Sequence, residues 1–404
     1  MHNKELLKGK KILLGVCGSI AIYKSLELIR LFIKAGAQVK VVMSEDAKRF
    51  ITPLCFETLS QHKVLHTQTE SWSEELSHIH VGKWADVFVI APASVNTINK
   101  LCHGIADNLI TQTAIAFTKT IVLAPSANTH MMLNPITQES LKKLQQLHYE
   151  IIQPQSKLLA CNDEGIGALA DVEDIFYHCA RTLLKEPFWS DKEVIITGGG
   201  TYEKLDDVRC LTNFSSGKQA AALALAYYLK GAHVTLISSA HIPLCNAIDT
   251  IFFHSTLELQ TALRSSLEKF QTAPTTPYVI MAAAVSDFTF QTPHTGKLKK
   301  ESLGENPTLQ LKRTVDILAS LPKKGIKTIG FKAELDSDNA LKYAKNMLEK
   351  KHLDAVCLNI IGEKNTFGSE ENEIHFLTAK TDITLPLASK FEIALRIVTL
   401  SENI

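Results

Sequence analysis

Two glycine-containing turns, far apart in the chain, each stand between a strand-like run and a helix-like run. Gly15–Ala21 follows the run Lys11–Leu14, and Gly198–Thr201 follows Val194–Thr197. Glycines let a backbone approach a phosphate closely, and the N-terminus of the next helix attracts its charge. Each turn is followed downstream by a similar pattern of helix end, glycine cap and new strand. These two patterns are Lys34-Ala35-Gly36-Ala37-Gln38-Val39 and Lys230-Gly231-Ala232-His233-Val234.

Both halves of the chain alternate short strand-like runs, rich in Val and Ile, with helix-like runs. The strand-like runs are Lys11–Leu14, Val39–Met43, Val87–Ala91, Thr120–Ala124, Val194–Thr197, Val234–Ser238, Tyr278–Ala282, Thr328–Phe331 and Ala355–Asn359. The helix-like runs are Ala21–Ala35, Gln219–Leu229 and Asn339–Lys350. This alternation predicts an α/β fold with two doubly wound, Rossmann-like domains. The pattern breaks at Lys185–Asp191, so we expect the domains to cover residues 1–187 and 188–404.

Composition excludes several classes of protein. The chain has 404 residues, with 43 Lys and Arg against 42 Asp and Glu, and this balance gives no electrostatic reason to expect nucleic acid. No apolar run is long enough for a membrane span, and the N-terminus lacks the apolar core of a signal peptide. The eight cysteines include no C-x-x-C pair, so neither a zinc site nor a disulfide framework is predicted. We expect a cytoplasmic protein.

Small polar residues follow each of the first four predicted strands. Gly18 and Ser19 follow the first strand, and Ser44 follows the second. The segments Pro92–Thr97 and Pro125–Met132 follow the third and fourth, and both contain Ser and Asn. Such residues also cap helices, which is the simpler explanation for each segment alone. Two such segments at neighbouring strand ends favour a ligand site, because ligands of doubly wound sheets bind there.

Two further residues of the first half have side chains suited to catalysis. His78 precedes the third predicted strand and could act as a general base, although most single histidines are structural. Cys161 lies in a glycine-bearing loop, Leu159–Gly167, whose polar residues favour an accessible thiol. Most cysteines are inert core residues, so the loop context is what distinguishes this one.

The first half resembles the flavin-dependent cysteine decarboxylases, which include phosphopantothenoylcysteine decarboxylase and the lantibiotic peptidyl-cysteine decarboxylases. The segments that carry the resemblance are Gly15–Lys24, His78, Pro92–Thr97, Gly104–Leu109, Pro125–Met132 and Cys161. The resemblance implies a flavodoxin-like flavoprotein domain with FMN as cofactor. It implies that FMN is held by Gly18, Ser19, Ser44, Ser94, Asn96 and Thr97. His78 would be the catalytic base, Asn128 would bind the substrate carboxylate, and Cys161 would protonate the enethiolate intermediate.

The chemistry of the reaction explains why such a family needs a flavin. A cysteinyl carboxylate has no electron sink for the carbanion left when carbon dioxide departs. Oxidation of the thiol to a thiocarbonyl provides that sink, and the cofactor accepts a hydride and later returns it. The chain departs from the family pattern at Ala127 and Met132, and again at Ala168 in the loop after Cys161. These departures concern the lining of the substrate site.

The second half contains its own candidate residues for phosphate chemistry. The Ser215-Ser216-Gly217-Lys218 segment before a helix-like run resembles a phosphate cradle, and a serine-rich helix cap is the less favoured alternative. Lys297–Lys300 lies in an irregular stretch, Phe290–Pro307, and could cover phosphates, whereas most charge runs are only solvated. Asp287, placed after an expected strand Met281–Val285, could bind a ribose hydroxyl or a metal.

This half resembles the phosphopantothenate–cysteine ligases. The matching segments are Ile196–Arg209, Asn213–Lys218, Ala282–Asp287, Lys297–Lys300, Asp316–Leu318, Gly330–Glu334 and Phe367–Ser369. The resemblance implies that CTP is bound by Ala283, Asp287, Lys297, Val315, Asp316, Ile317, Leu318, Phe331, Met347 and Lys351. Asn213 would stabilise an acyl-cytidylate, Lys297 would act in catalysis, and Arg209 would bind the substrate phosphate. Met347 stands where the family has lysine, and Lys345 or Lys350 could compensate.

The two halves, in this order, resemble the bacterial bifunctional enzymes of coenzyme A biosynthesis. The ligase half would join 4′-phosphopantothenate to L-cysteine with CTP and Mg²⁺, and the decarboxylase half would convert the product to 4′-phosphopantetheine. The resemblance also implies a homo-oligomer of trimeric decarboxylase and dimeric ligase contacts, a dodecamer overall; metal ligands are not assigned. Two alternatives are a flavin prenyltransferase, which has no use for Cys161, and a regulatory flavoprotein without activity, which would not need His78, Asn128 and Cys161.

Overall fold

A computed structural model describes residues 4–159, 164–270, 275–299, 308–322, 324–362 and 365–404. The chain divides into two compact units, of which the first ends at Leu184 and the second begins at Lys185. Two residues named above, Cys161 and Lys300, lie outside the described ranges. No helix in the described ranges is long and apolar enough to cross a membrane.

The first unit alternates strands with helices along the chain. Its strands are β1 (Lys11–Val16), β2 (Gln38–Met43), β3 (Val87–Ala93), β4 (Ile121–Pro125), β5 (Glu150–Ile151), β6 (Gln155–Leu158) and β7 (Glu164–Ala168). Its helices are α1 (Tyr23–Lys34), α2 (Pro53–Ser60), α3 (His78–Trp84), α4 (Val95–Cys102), α5 (Leu109–Ala116), α6 (Thr129–Met132), α7 (Pro135–Gln146) and α8 (Val172–Leu184). Short 3₁₀ turns cover Ile20–Ile22 and Glu45–Arg49.

The sheet of the first unit has the strand order of a flavodoxin-like fold. Within the described residues the order is β2-β1-β3-β4-β5, and every neighbouring pair is parallel. The strand order therefore reverses between β1 and β3, and ligands bind at this point in open α/β sheets. The central strand β3 is buried along its whole length, and Phe88 packs in a core with Leu13 and Ile90. Strands β6 and β7 form a separate antiparallel hairpin.

The second unit repeats the alternation and adds several short strands. Its strands are β8 (Glu193–Gly198), β9 (Tyr202–Lys204), β10 (Cys210–Thr212), β11 (His233–Ser238), β12 (Asp249–Phe252), β13 (Tyr278–Met281), β14 (Phe288–Phe290), β15 (Leu311–Arg313), β16 (Lys327–Glu334), β17 (Ala355–Ile360), β18 (Glu371–Leu377) and β19 (Asp382–Ser389). Its helices are α9 (Lys218–Lys230), α10 (Thr256–Lys269), α11 (Ile317–Ser320), α12 (Ser337–Lys350) and α13 (Lys390–Ser401).

The main sheet of the second unit has a Rossmann-type order. In the described residues it runs β12-β11-β8-β13-β16-β17-β18-β19. The strands from β12 to β17 are parallel, and in chain order they give the pattern 3-2-1-4-5-6, with its switch point between β8 and β13. The last two strands are antiparallel. The predicted class, α/β with two doubly wound Rossmann-like domains, is confirmed for both units.

Three structural details differ from the sequence expectations. The stretch Thr201–Lys218, for which no strand was predicted, contains the hairpin β9–β10. The expected strand Met281–Val285 is wrong, because β13 ends at Met281 and Asp287 lies in the connection before β14. Strands β18 and β19 and helix α13 were not predicted at all. The alternating burial of β18 was the available signal, since its exposed and buried residues alternate along most of its length.

Candidate active sites

A cavity of about 420 Å³ opens at the carboxyl ends of the strands in the first unit. Its lining includes all six residues that the sequence assigned to a cofactor: Gly18, Ser19, Ser44, Ser94, Asn96 and Thr97. The other lining residues are Glu45, Asp46, Val95, Lys100, Asp107, Asn108, Ser126, Ala127 and Met131. Tertiary structure thus brings together four strand ends that are widely separated in the chain.

The serine hydroxyls of this cavity are positioned by the backbone of the turns that follow the strands. Ser19 Oγ accepts from the N–H of Ala21 at 3.3 Å, and Ser44 Oγ and Ser94 Oγ cap their turns in the same way. The helix-capping explanation and the ligand-binding explanation therefore both apply to these residues. Capping fixes each hydroxyl at a helix N-terminus, where backbone N–H groups attract an anion.

Gly18 is required by a close approach of two chain segments. A Cβ atom at this position would lie 2.6 Å from Cβ of Asp46, which is closer than side chains pack. The turn after β1 therefore lies directly against the turn after β2. This contact forms one wall of the cavity and explains why a residue without a side chain stands there.

The segment after β4 joins the same site from the other side. Ser126 Oγ lies 3.4 Å from Ser19 Oγ, and the N–H of Ser126 donates to the carbonyl of Ala93. The hairpin β6–β7 packs against this segment, since the N–H of Ala127 donates to the carbonyl of Gly167 at 2.9 Å. A Cβ at Gly167 would lie 2.2 Å from the Ala127 carbonyl oxygen. The β6–β7 hairpin thus adjoins the cavity wall at Gly167.

The predicted catalytic residues His78 and Asn128 do not line this cavity. His78 begins α3, and its Nδ1 lies 2.8 Å from Oε1 of Glu70, with both side chains about three-quarters buried. The exposed ring of Trp72 contacts His78 edge-on, with ring centroids 5.6 Å apart. Asn128 caps α6 by accepting from the N–H of His130 at 2.9 Å. Sequence reasoning did not find Glu70, because only the fold places it beside His78.

A buried thiol lies beneath the cavity. Cys17 is 1% exposed, and its Sγ lies 3.2 Å from Oγ1 of Thr97, which in turn lies 3.2 Å from Oγ of Ser94. Burial raises the pKa of the Cys17 thiol, so it remains protonated and available to hydrogen-bond Thr97. The cavity also contains an ion pair that the sequence did not indicate, with Lys100 Nζ 2.6 Å from Asp107 Oδ2.

A larger cavity, of about 650 Å³, lies at the carboxyl ends of β13 and β16 in the second unit. Nine of the ten residues that the sequence assigned to CTP line it: Ala283, Asp287, Val315, Asp316, Ile317, Leu318, Phe331, Met347 and Lys351. Ser286, Arg313, Thr314 and Lys332 also line it and were not predicted. The tenth residue, Lys297, lies on an exposed stretch outside this lining.

One side of this cavity combines an ion pair with an apolar surface. Lys351 Nζ lies 2.8 Å from Asp316 Oδ2, and Asp316 also caps α11. The end of the Met347 side chain packs so closely over Gly330 that a Cβ there would lie 2.7 Å from Met347 Cε. Lys345 and Lys350 do not line the cavity. Met347 stands where the family has a lysine, and the cavity lining does not support replacement of that lysine by Lys345 or Lys350.

A smaller cavity, of about 180 Å³, adjoins the larger one. The two share a wall made of Ala283, Ala284 and the segment 331–333. The Ser215–Lys218 segment at the N-terminus of α9 lines the smaller cavity, together with Lys390 and Asn372. Asn213 lies beside the shared wall, since its Nδ2 donates to the carbonyl of Ala284 at 3.3 Å.

Arg209 lies in neither cavity lining of the second unit. Its guanidinium binds the carboxylate of Asp206 through Nε at 3.0 Å and through Nη2, and it also donates to the carbonyl of Leu298. Asp206 is 2% exposed and accepts three main-chain N–H bonds, from Val208, Arg209 and Leu298. The Arg209 guanidinium holds the pKa of the Asp206 carboxyl well below its usual range.

The second glycine turn is explained by packing. Gly199 has φ +80°, and a Cβ there would lie 2.1 Å from Oγ of Ser239. Residues 198–200 line none of the cavities described above. Packing against Ser239 therefore explains the glycine at position 199, and a phosphate-binding role of this turn stays a prediction.

No group of three or more His, Cys, Asp or Glu side chains in the described ranges is arranged to hold a metal ion. The 650 Å³ cavity has only two acidic residues in the described part of its lining, Asp287 and Asp316, which are too few for a metal site made by protein alone.

The fold and the cavities define a class of protein: a flavodoxin-like unit joined to a Rossmann-type unit, each with a ligand cavity at its strand ends. The profile of the flavoprotein family matches residues 1–184, and that of the DNA/pantothenate metabolism flavoprotein C-terminal domain matches residues 189–403. The chain is 37% identical to the coenzyme A biosynthesis bifunctional protein CoaBC of Bacillus subtilis (strain 168), over 97% of both chains. It is 36% identical to that of Haemophilus influenzae, over 97% of both chains, and 33% identical to that of Escherichia coli (strain K12), over 95% of this chain and 94% of the relative.

The chain belongs to the family of bifunctional CoaBC proteins of coenzyme A biosynthesis. It is an enzyme with a decarboxylase activity and a ligase activity, and its first unit is a flavoprotein domain. The predictions of family, fold and activity are confirmed, and the prenyltransferase and regulatory alternatives are set aside.

Proposed function

We propose that the 420 Å³ cavity of the first unit binds FMN and that the unit decarboxylates 4′-phosphopantothenoyl-L-cysteine. The hydroxyls of Ser19, Ser44, Ser94 and Thr97 and the turns they cap form a donor set suited to a phosphate ester. The close contact of Gly18 with Asp46, which a side chain at Gly18 would force apart, keeps the turns after β1 and β2 together as one wall of this cavity. When bound, FMN supplies hydride acceptance and return. The single observation that carries the proposal is that all six expected residues line one cavity.

In this reaction His78 removes a proton from the substrate, and Glu70 holds the ring so that Nε2 is directed at that proton. Asn128 binds the substrate carboxylate, and Cys161 returns a proton to the enethiolate after carbon dioxide has left. His78 lies outside the cavity lining of its own chain. We infer that a neighbouring copy contributes His78, in keeping with the proposed trimer and the larger dodecamer. Mixing His78→Asn and Cys161→Ser chains should then restore some decarboxylation, whereas either variant alone stays inactive.

We also propose that the 650 Å³ cavity of the second unit binds CTP and that the smaller cavity beside it binds 4′-phosphopantothenate. The substrate carboxylate attacks the α-phosphate of CTP, which releases pyrophosphate and forms an acyl-cytidylate. The amine of L-cysteine then attacks the acyl carbon, CMP leaves, and the amine loses a proton. Asn213, beside the shared wall, is placed to stabilise the acyl-cytidylate, and exposed Lys297 is available to cover the phosphates.

The substrate phosphate has two candidate partners in this chain. Arg209 is one by resemblance, but its guanidinium is already bonded to Asp206 and Leu298. The N-terminus of α9 with Lys218 is the other. Lys218 Nζ also has partners, the carbonyl of Gly368 at 3.0 Å and the carboxylate of Glu370, but this segment lines the smaller cavity and Arg209 does not. We favour Lys218.

Mg²⁺ enters with CTP as its counter-ion, held mainly by the triphosphate oxygens. A cytoplasmic location remains a prediction from cysteine usage.

One experiment tests both halves of the proposal. The full-length protein is supplied with 4′-phosphopantothenate, L-cysteine, Mg²⁺ and either CTP or ATP, while pyrophosphate, carbon dioxide and the visible flavin spectrum are recorded. We expect a yellow protein that releases both products with CTP and little of either with ATP. Equal rates with ATP would overturn the assignment of CTP. A colourless protein that still releases carbon dioxide would overturn FMN as the cofactor.

A further inference from the structure

The smaller cavity of the second unit contains a buried hydrogen-bond acceptor that no described residue satisfies. Asn372, in β18, is 3% exposed and lines this cavity. Its Oδ1 atom is buried and has no hydrogen-bond partner among the described residues. Buried polar atoms in proteins are nearly always paired, so an unpaired one at the wall of a ligand cavity indicates a missing partner.

The orientation of the Asn372 amide is fixed by its neighbours. Asn372 Nδ2 donates to Gln219 Oε1 at 3.1 Å, and Gln219 Nε2 donates to the main-chain oxygen of Lys390 at 3.3 Å. A main-chain oxygen can only accept, so Gln219 must direct its nitrogen there and its oxygen towards Asn372. The free atom of Asn372 is therefore the acceptor, and its missing partner is an O–H or N–H donor.

Three elements hold this acceptor in place. Asn372 belongs to β18, Gln219 to the first turn of α9 and Lys390 to the start of α13. The pairing of β18 with β19 shifts register between Asn372 and Ile374, and such bulges redirect side chains beside functional sites. Asn372 is thus held by its hydrogen bond to Gln219, which is itself anchored on Lys390, and an acceptor held in this way loses little freedom when a ligand binds.

The position of the cavity limits the possible donors. Its occupant meets the nucleotide cavity at the wall formed by Ala283, Ala284 and the segment 331–333. Phosphates and carboxylates at neutral pH only accept hydrogen bonds, so neither end of 4′-phosphopantothenate satisfies Asn372. The middle of that molecule carries two donors, one hydroxyl and one amide N–H.

We propose that Asn372 Oδ1 accepts a hydrogen bond from the hydroxyl or the amide N–H of the acid substrate, and that Asn372 is thereby a specificity-determining residue of the ligase. This inference rests on the proposed function of the smaller cavity. Sites built to hydrogen-bond a substrate donor reject analogues that lack it, because the buried acceptor is then left unpaired. Lys218, which pairs with the exposed carboxylate of Glu370, and Lys390, which donates to the carbonyl of Ser369, line the same cavity and are the cations nearest to the phosphate end.

The first test compares variants of the full-length protein. Asn372→Leu removes the acceptor at similar volume, and Glu371→Gln is the matched control, because Glu371 is the exposed neighbour in the same strand. We expect Asn372→Leu to raise the KM for 4′-phosphopantothenate about 10-fold, the effect of one lost hydrogen bond. The KM for CTP and the flavin content should stay unchanged. A rise in the KM for L-cysteine alone would overturn the proposal, because the donor would then be the cysteine ammonium.

A second test needs no variant and so does not depend on whether Asn372→Leu folds. Two analogues are offered to the unaltered protein, one without the hydroxyl and one with an ester oxygen in place of the amide N–H. We expect one of them to lose about 10-fold in kcat/KM, which identifies the donor. Equal kcat/KM for both analogues and the parent acid would overturn the proposal. If the proposed function of the cavity were wrong, the parent acid would not cause pyrophosphate release from CTP at all. This result differs from equal kcat/KM values for the three acids.

Discussion

The Oε1 atom of Glu70 lies 2.8 Å from Nδ1 of His78, and the two side chains are about three-quarters buried together. A carboxylate at this nitrogen holds the proton on Nδ1 and leaves Nε2 as the basic atom. His78 was predicted from the sequence, whereas Glu70, eight positions earlier in the chain, was not.

We expect Glu70→Gln to reduce the rate of decarboxylation about 10-fold, because an amide can still contact the ring but no longer fixes its tautomer. The rate is measured as carbon dioxide released from purified 4′-phosphopantothenoyl-L-cysteine, over a range of pH. Glu74→Gln is the control, since Glu74 pairs with Lys63 and is largely exposed. An unchanged rate and pH profile in Glu70→Gln would show that the pair is only structural.

We expect Gly18→Ala to weaken flavin binding by at least about 10-fold, because the new methyl group would lie 2.6 Å from Cβ of Asp46 and force the two turns apart. Flavin content per chain, read from the visible spectrum after gel filtration, is the measurement. Gly82→Ala is the matched control, because its nearest neighbours are 3.8 Å away and it lies inside α3. Full flavin content in Gly18→Ala would contradict the assignment of this turn to the cofactor.

We expect Lys351→Gln to raise the KM for CTP about 10-fold, with a smaller effect on kcat, because the cavity loses a cation next to the nucleotide. The measurement is CTP-dependent pyrophosphate release at saturating 4′-phosphopantothenate and L-cysteine. Lys350→Gln is the control, since the preceding lysine does not line the cavity. Equal effects of the two substitutions would indicate a general loss of charge and not a specific contact.

We expect Asp206→Asn to lower the thermal unfolding midpoint of the ligase unit at neutral pH. A carboxyl whose pKa is lower in the folded state contributes stability above its unfolded pKa of about 3.9, and that contribution is lost as the pH falls through the folded value. The difference between the two proteins should thus be constant down to about pH 4 and shrink below it. Asp207→Asn, which loses only an exposed contact with Gly296, should change the midpoint less. A difference that is independent of pH would contradict the ion pair as the cause.

The amino-acid sequence by itself determined the class of fold and many of the residues that line the two larger cavities of the described units. Periodic Val- and Ile-rich runs such as Val87–Ala91 are local signals of buried parallel strands, and the structure extends that run to Ala93. Polar residues at the ends of such strands must meet at one edge of the sheet, so Ser19, Ser44 and Ser94 could be assigned to one site before their distances were known.

Only the tertiary structure decided which side chains meet across long separations in the chain. Asn372 lies 153 positions from Gln219, yet the two amides are hydrogen-bonded and leave one buried acceptor for a ligand. The glycine turn Gly198–Gly200 is a second example, because its contact with Ser239, which leaves no room for a Cβ at Gly199, is visible only in the folded structure. Hydrophobic periodicity and turn-forming residues are signals within a few consecutive residues, so they can be recognised in the sequence. Pairing between distant polar groups depends on how strands and helices pack, and no local pattern records it.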